Sequence, residues 1–194
     1  MPLSPSHKAK TRRNITDAAR KLFNLHGFDN VSIDDIMGKA GLTRGGFYAH
    51  FKNKSELYAE AVSSIRLMHE ESGLIKRCRQ NPVAAKEAIA TYYLGKKHRD
   101  LPGKGCPLPA LASDVSRENK TVKEAYTNVF TSLAHALSGN FDGPVDLDKL
   151  DQKALVASIL CVGGQILSRT VTDPALSDKI LTSCLNEIKQ QAAV

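Results

Sequence analysis

Residues 32 to 57, SIDDIMGKAGLTRGGFYAHFKNKSEL, constrain the fold of this chain more than any other stretch. Their spacing predicts a short helix, a glycine turn, a second short helix and the capped start of a third. Ser32 can cap a helix through Ile33, Ile36 and Ala40, with Asp34 and Asp35 in its positively polarised first turn. Gly41 supplies a turn residue free of the Cβ penalty for left-handed backbone. Thr43 can then cap a second helix carrying Phe47, Tyr48, His50 and Phe51. Two short helices joined this tightly form a helix-turn-helix, an arrangement that places its second helix in the DNA major groove.

Charge agrees with that reading. The 194 residues carry a formal net charge of +7, and residues 1 to 58 hold ten Lys or Arg against five Asp or Glu, leaving only +2 for the rest. The basic excess therefore sits where phosphate binding would need it. With 42% hydrophobic residues the chain can bury a real core. MPLSPSHKAKTRR is charged without a following apolar region, and Ala154 to Gly164 is too short for the roughly 20 residues of a membrane span, so a cytoplasmic protein with no membrane partner is expected. Cys78, Cys106, Cys161 and Cys184 are far apart with no C-x-x-C spacing, and no metal site or cofactor is expected.

Helical periodicity recurs along the chain while strand signals are weak. Ile15, Ala18, Ala19, Leu22 and Phe23 form an apolar stripe on a first helix over about 8 to 26, with Lys10, Arg13 and Arg20 expected opposite it and Gly27 ending it. Phe28 and Val31 then anchor a three-helix core completed by Ile36, Leu42, Phe47 and Phe51. Asn53 and Glu56 have capping-box spacing, predicting one long helix to about Arg79. Pro82 suits the start of the next, fading near His98. RDLPGKGCPLP is an interior loop. Further helices are expected over Ala110 to Ser116, from Asn119 to Gly139, from Asp148 to Val171, and from Pro174 onward. The expected fold is all-α with about nine helices. A helix-turn-helix domain over 1–52 precedes a helical effector-binding and dimerisation domain over 53–194.

Leu25-His26-Gly27-Phe28, Val31-Ser32-Ile33, Ala40-Gly41-Leu42 and Thr43 to Phe51, followed by Lys54 and Leu57, together make the chain resemble the TetR family of bacterial transcriptional regulators. The resemblance covers about a quarter of the chain closely. Gly46 departs from it, standing where such proteins often carry Ser or Thr. The resemblance implies a regulator rather than an enzyme, most often a repressor. It would be a homodimer on a palindromic double-stranded DNA operator, released by a small-molecule effector of unknown identity. Thr43, Tyr48 and Lys54, with Gly45 beside them, are then expected at phosphates, as is a basic arm of Lys8, Lys10, Arg12 and Arg13. Arg44 is expected to read a guanine through O6 and N7, and His50 is a further candidate. Core packing is the favoured role of Phe47 and Phe51.

The last two helices would form the dimer interface. Leu160, Gly163, Gly164, Leu167, Leu181 and Leu185 are its expected contacts, the two glycines allowing a partner helix to approach. The alternative for those glycines is a kink beside a ligand cavity. Tyr92, His98, Tyr126 and Phe130 are aromatic or polar effector-site candidates. Cys106 precedes a predicted helix among cationic residues, which would lower its thiol pKa and suit it to sensing electrophiles or oxidants. Against that stands a buried, inert thiol, and more remotely a thiol enzyme pairing Cys106 with a histidine.

Overall fold

The structure, a computed structural model, describes residues 5–64, 73–141 and 145–192. The described residues form ten α-helices and three short 3-10 turns. In order the helices are α1 (Pro5–His26), α2 (Ile33–Lys39), α3 (Lys54–Ser63), α4 (Gly73–Gln80), α5 (Pro82–Tyr93), α6 (Lys96–Asp100), α7 (Pro107–Ser116), α8 (Lys120–Leu137), α9 (Gln152–Thr170) and α10 (Pro174–Ala192). No described helix is long and apolar enough to cross a membrane.

Helix boundaries follow local chemistry. Gly27, Gly41 and Gly139 take φ values of 77°, 72° and 81°, left-handed conformations that favour glycine and close α1, α2 and α8. Side chains of Asn53, Asn81, Asn119 and Asp151 accept backbone N–H groups at the starts of α3, α5, α8 and α9. At Asn53 the capping box is half formed. Asn53 accepts from Glu56 N at 2.8 Å, but the Glu56 carboxylate accepts from Lys52 N at 2.8 Å instead of turning back to Asn53.

Several expected elements differ, among them the interior loop expected over 99–109, which holds the end of α6, a 3-10 turn at Pro102–Lys104 and the start of α7. In place of one long helix to Arg79, α3 ends at Ser63 and α4 begins at Gly73, with residues 65–72 outside the described residues. The helix expected to fade near His98 stops at Tyr93, because Gly95 turns out of helical geometry to extended backbone at φ −72°, ψ 146° and starts α6. Between the helix expected to end at Gly139 and the one expected from Asp148, residues 142–144 also lie outside the described residues.

Two apolar clusters organise the chain. The first joins Ile15, Phe23, Ile36, Phe47, Phe51, Leu57 and Tyr58, and continues into Leu111, Val115 and Val122 of α7 and α8. The expected boundary at 52 thus falls immediately before α3, a helix whose Leu57 and Tyr58 complete the N-terminal core while it packs along α8. Phe23, Phe28 and Tyr58 meet at ring-centroid separations of 4.6 to 5.8 Å. The second cluster lies among α5, α7, α8, α9 and α10, with Tyr93, Leu108, Leu133 and Cys161 at its centre.

Arg20 departs from its expected place on the solvated face. It is only 6% exposed and stands 3.8 Å from Asp17. At 3.6 residues per turn it follows directly on the buried pair Ala18 and Ala19, and α1 is covered by α3, α7 and the 3-10 turn Pro102–Lys104. A helix enclosed on several sides buries more than one stripe.

Candidate nucleic-acid interface

The N-terminal module positions its functional side chains through backbone capping. Asp35 N donates to Ser32 Oγ at 3.1 Å and Ser32 N donates to Asp35 Oδ2 at 2.9 Å, a reciprocal box that fixes the start of α2. These Ser32 hydrogen bonds, the side chain's first, hold the Asp35 carboxyl below its usual pKa. At the other end Leu42 N reaches back to Met37 O at 2.8 Å across the Gly41 turn. The chain then enters the recognition segment Arg44–Ala49, which is a six-residue 3-10 turn. Thr43 precedes it with extended backbone, yet its side chain makes no cap hydrogen bond. The expected Thr43 cap is therefore absent, and the hydroxyl projects from an exposed residue.

Phe47 and Phe51 are 0% and 2% exposed and seat this segment on the core. Tyr48 stands edge-on against Phe47 with its centroid 5.2 Å away, while remaining 61% exposed. The Arg44 side chain is 61% exposed, and its Nη1 donates to Asp34 Oδ2 at 2.5 Å. Around Gly45 there is open space, and a Cβ on Gly46 would meet only Met37 Cε at 3.6 Å. The unusual glycine at 46 is thus not imposed by packing. Arg44, Gly45 and Tyr48 are brought to one exposed segment, with Thr43 at its entry.

The remaining expected contacts are rearranged. Lys54 Nζ donates to Phe28 O at 2.5 Å and lies 4.2 Å from the centre of the Phe28 ring. Burial pulls its ammonium pKa below the usual value, so the free structure commits this lysine to tying α3 to the loop after α1. The basic arm is helical from Pro5. Lys10 and Arg13 are exposed on it, but Arg12 is not a free arm residue. Its guanidinium donates to Glu60 at 2.5 Å, to Glu56 at 3.3 Å and to the His50 carbonyl, and lies 3.9 Å from the Phe51 ring centre. Arg12 therefore pins the end of the recognition segment to α1 and α3. His50 is half-buried, and desolvation, then the charges of Lys8 and Arg12, lower its pKa.

The effector-site candidates also fall differently from expectation. Cys106 does cap a helix, since Leu108 N lies 3.4 Å from its Sγ. It is 1% exposed, and burial pushes its thiol up to about 11, outweighing the hydrogen bonds and the charges of Arg169 and Arg20. Of the two readings of Cys106, the low-pKa, accessible sensor thiol is thus contradicted and the buried, inert thiol is borne out. The lysines near in sequence project into solvent, where water screens them. His98 is buried with both ring nitrogens engaged: Cys106 N donates to Nε2 at 3.1 Å, which leaves Nδ1–H to donate to Tyr93 O at 2.7 Å. Desolvation depresses its pKa to about 4. Neither nitrogen is left to serve as a base for Cys106. Tyr92 is 52% exposed, Tyr126 donates to Leu108 O at 2.8 Å, and Phe130 packs against the second core.

Sequence reasoning missed the polar interior. Gln165 is fully buried and donates to Tyr93 O at 2.6 Å, leaving its Oε1 without a partner, while the buried Tyr93 hydroxyl faces the Cys106 thiol. Asn24 donates to the carbonyls of Pro102 and Gly105 at 3.2 and 3.1 Å. Asp114 accepts from Phe28 N at 3.0 Å. Nothing in the spacing of these residues marks them as interior. No group of three or more possible metal ligands occurs among the described residues.

Among the expected interface residues, Gly163 faces open space and Leu167 is 55% exposed, with Leu160 and Leu185 half-buried. Gly164 and Leu181 are turned inward. A Cβ on Gly164 would come within 3.0 Å of Cys184 Sγ and of Leu94 Cδ2, and Leu181 is 4% exposed. One residue along a helix is a 100° rotation, so adjacent glycines cannot share one face.

Fold and site together define a helix-turn-helix module joined to a larger helical bundle. Residues 15–61 match the description "Bacterial regulatory proteins, tetR family". The Transposon Tn10 TetC protein of Escherichia coli is 38% identical over 84 residues, 43% of this chain and 43% of that protein. The HTH-type transcriptional regulator AcrR of Shigella flexneri is 45% identical over 51 residues, covering 26% of this chain and 24% of that one. These matches thus span less than half the length of either relative. A TetR-family transcriptional regulator from Cytophaga hutchinsonii shares the fold across 98% of both chains, at a TM-score of 0.65 and 20% identity. Over residues 15–61 the chain is similar to the tetR family of bacterial regulatory proteins, and across its length it shares the fold of a solved protein of that family.

Proposed function

We propose that the protein binds a palindromic operator as a homodimer, acts as a repressor, and is released by a small molecule held in the second helical core. The observation that carries this reading is the recognition segment itself. Arg44 and Tyr48 stand exposed on a short turn whose Phe47 and Phe51 are sealed in the core. This presents a guanidinium suited to a guanine edge and a phenol suited to phosphate. Thr43 and Gly45 border them, and Lys10 and Arg13 supply exposed positive charge on α1.

Dimerisation is supported by α9, where Val156, Ile159, Gly163 and Leu167 expose an apolar stripe with a glycine gap in it. Leu160 and Leu185 flank it. One recognition segment reads too few base pairs to specify a genomic site, whereas two can occupy major grooves about 34 to 36 Å apart. For the effector, the unpartnered Gln165 Oε1 and the buried Tyr93 hydroxyl beside the Cys106 thiol mark polar groups inside a largely apolar core. They favour a largely apolar ligand with one or two hydrogen-bonding groups over covalent capture at Cys106. Duplexes selected by the protein from a random pool should prove to be inverted repeats. Binding should weaken steeply with salt and be lost in Arg44→Ala/Tyr48→Ala protein that remains folded. Equal retention of operator and random DNA would overturn the reading.

A further inference from the structure

We infer that Asp34 is a specificity-determining residue, a carboxylate that aims the Arg44 guanidinium at one base pair and discourages its use on DNA backbone elsewhere. The inference rests on the DNA-binding reading above. Asp34 is in the first turn of α2, and its partner lies ten residues on, in the recognition segment. The helix cap does not need Asp34, because Ser32 and Asp35 complete it between themselves. Its exposed ion pair contributes little to stability. A carboxylate beside a phosphate-binding surface also repels the ligand, so its presence there opposes affinity.

What Asp34 supplies is orientation. Arg44 is followed by Gly45 and Gly46, so no adjacent side chain on its C-terminal side confines its rotamers, and a Cβ at Gly45 would find nothing within 4 Å. Among the described residues, Asp34 is the group to which the Arg44 guanidinium is bonded. A guanidinium is a planar fork with five N–H donors. Nη1 spends one on Asp34, leaving an edge with two parallel donors for O6 and N7 of guanine. Away from an operator, the same carboxylate neutralises Arg44 and weakens its attraction to phosphate.

The test uses the full chain and an operator obtained by selection from random duplexes. Arg44→Ala first identifies the guanine, as the base pair at which preference disappears. Binding of wild type, Asp34→Asn and Asp34→Glu is then measured by fluorescence anisotropy on three duplexes: operator, operator with that guanine replaced, and non-operator DNA, all at one salt concentration. Wild type should discriminate the guanine by about tenfold or more. Asp34→Asn should reduce this to within about threefold while binding non-operator DNA more tightly, with its thermal midpoint unchanged. Asp34→Glu, which keeps the charge at a different reach, should recover the weak non-operator binding and only part of the discrimination. Full discrimination with unchanged non-operator affinity in Asp34→Asn would overturn the inference. If Arg44→Ala changes no base preference, Arg44 is not the reader and the inference falls with it. Failure of wild type to select any sequence would instead count against the DNA-binding reading itself.

Discussion

Acidification should destabilise this protein well before its carboxylates are protonated, and His98 is the reason. Its ring is enclosed between Tyr93 O and Cys106 N, and a neutral ring satisfies both. A second ring proton would point Nε2–H at the Cys106 N–H donor. The buried pKa of about 4, against 6.5 for an ordinary histidine, means that between those values the unfolded chain binds a proton that the folded chain does not. Stability therefore falls as pH drops from about 6.5 to 4 and levels off below. Integrated over that difference the full effect is about 3 kcal/mol, of which about 2 kcal/mol should be seen between pH 7 and pH 5. His50, whose pKa is also lowered, adds in the same direction. The exposed carboxylates with depressed pKa values, such as Asp178, lose their contribution only at lower pH. Urea unfolding at fixed protein concentration, pH 7 against pH 5, would measure the difference. His98→Asn keeps a donor for Tyr93 O and should cost about 1–3 kcal/mol at pH 7 through the unpaired Cys106 N–H, but it should remove most of the pH dependence. An equal loss between pH 7 and 5 in wild type and variant would refute the argument.

Other substitutions test the packing. Gly163→Leu should leave the subunit folded but disturb the dimer on sizing, whereas Gly164→Leu should destabilise the subunit by about 1–3 kcal/mol in thermal or urea unfolding, given the 3.0 Å contacts a Cβ there would make. Gly27→Ala should cost about 2–4 kcal/mol in urea unfolding. It combines a left-handed φ with a Cβ 2.8 Å from Asp114 Oδ2, the acceptor of Phe28 N. Iodoacetamide should label native Cys106 at less than about one hundredth of the rate of a free thiol at pH 7, since a pKa of about 11 leaves little thiolate, and urea should restore ordinary labelling as read by mass spectrometry.

Much of the N-terminal module was legible because local rules decide it. Ser32, Gly41, Asn53 and the Ile15 to Phe23 stripe act within a few residues of themselves, and each does so in the structure. Thr43 shows the limit: it has the spacing of a cap, but the following segment winds as a 3-10 turn and leaves the hydroxyl unused. Charged residues were the least legible. Arg12 and Lys54 looked like phosphate ligands, yet each finds carbonyl, carboxylate or aromatic partners across the fold, Arg12 as far as 48 residues away and Lys54 26. A helix start at Cys106 is legible, but the ionisation of its thiol depends on burial in the second core, which no neighbour in sequence reveals. The same holds for Gly163 and Gly164, alike in sequence and opposite in orientation.

Everything proposed for this protein turns on specific DNA binding by the exposed recognition segment. Its most direct test is anisotropy of purified protein on the duplex flanking its own gene, at two salt concentrations, for wild type and for Arg44→Ala/Tyr48→Ala. Wild type should bind tightly, with an affinity that falls steeply with salt and exceeds that for random duplex by about a thousandfold, and the variant should lose this binding with an unchanged melting temperature. Equal affinity for both duplexes in wild type, or undiminished operator binding in the variant, would contradict it.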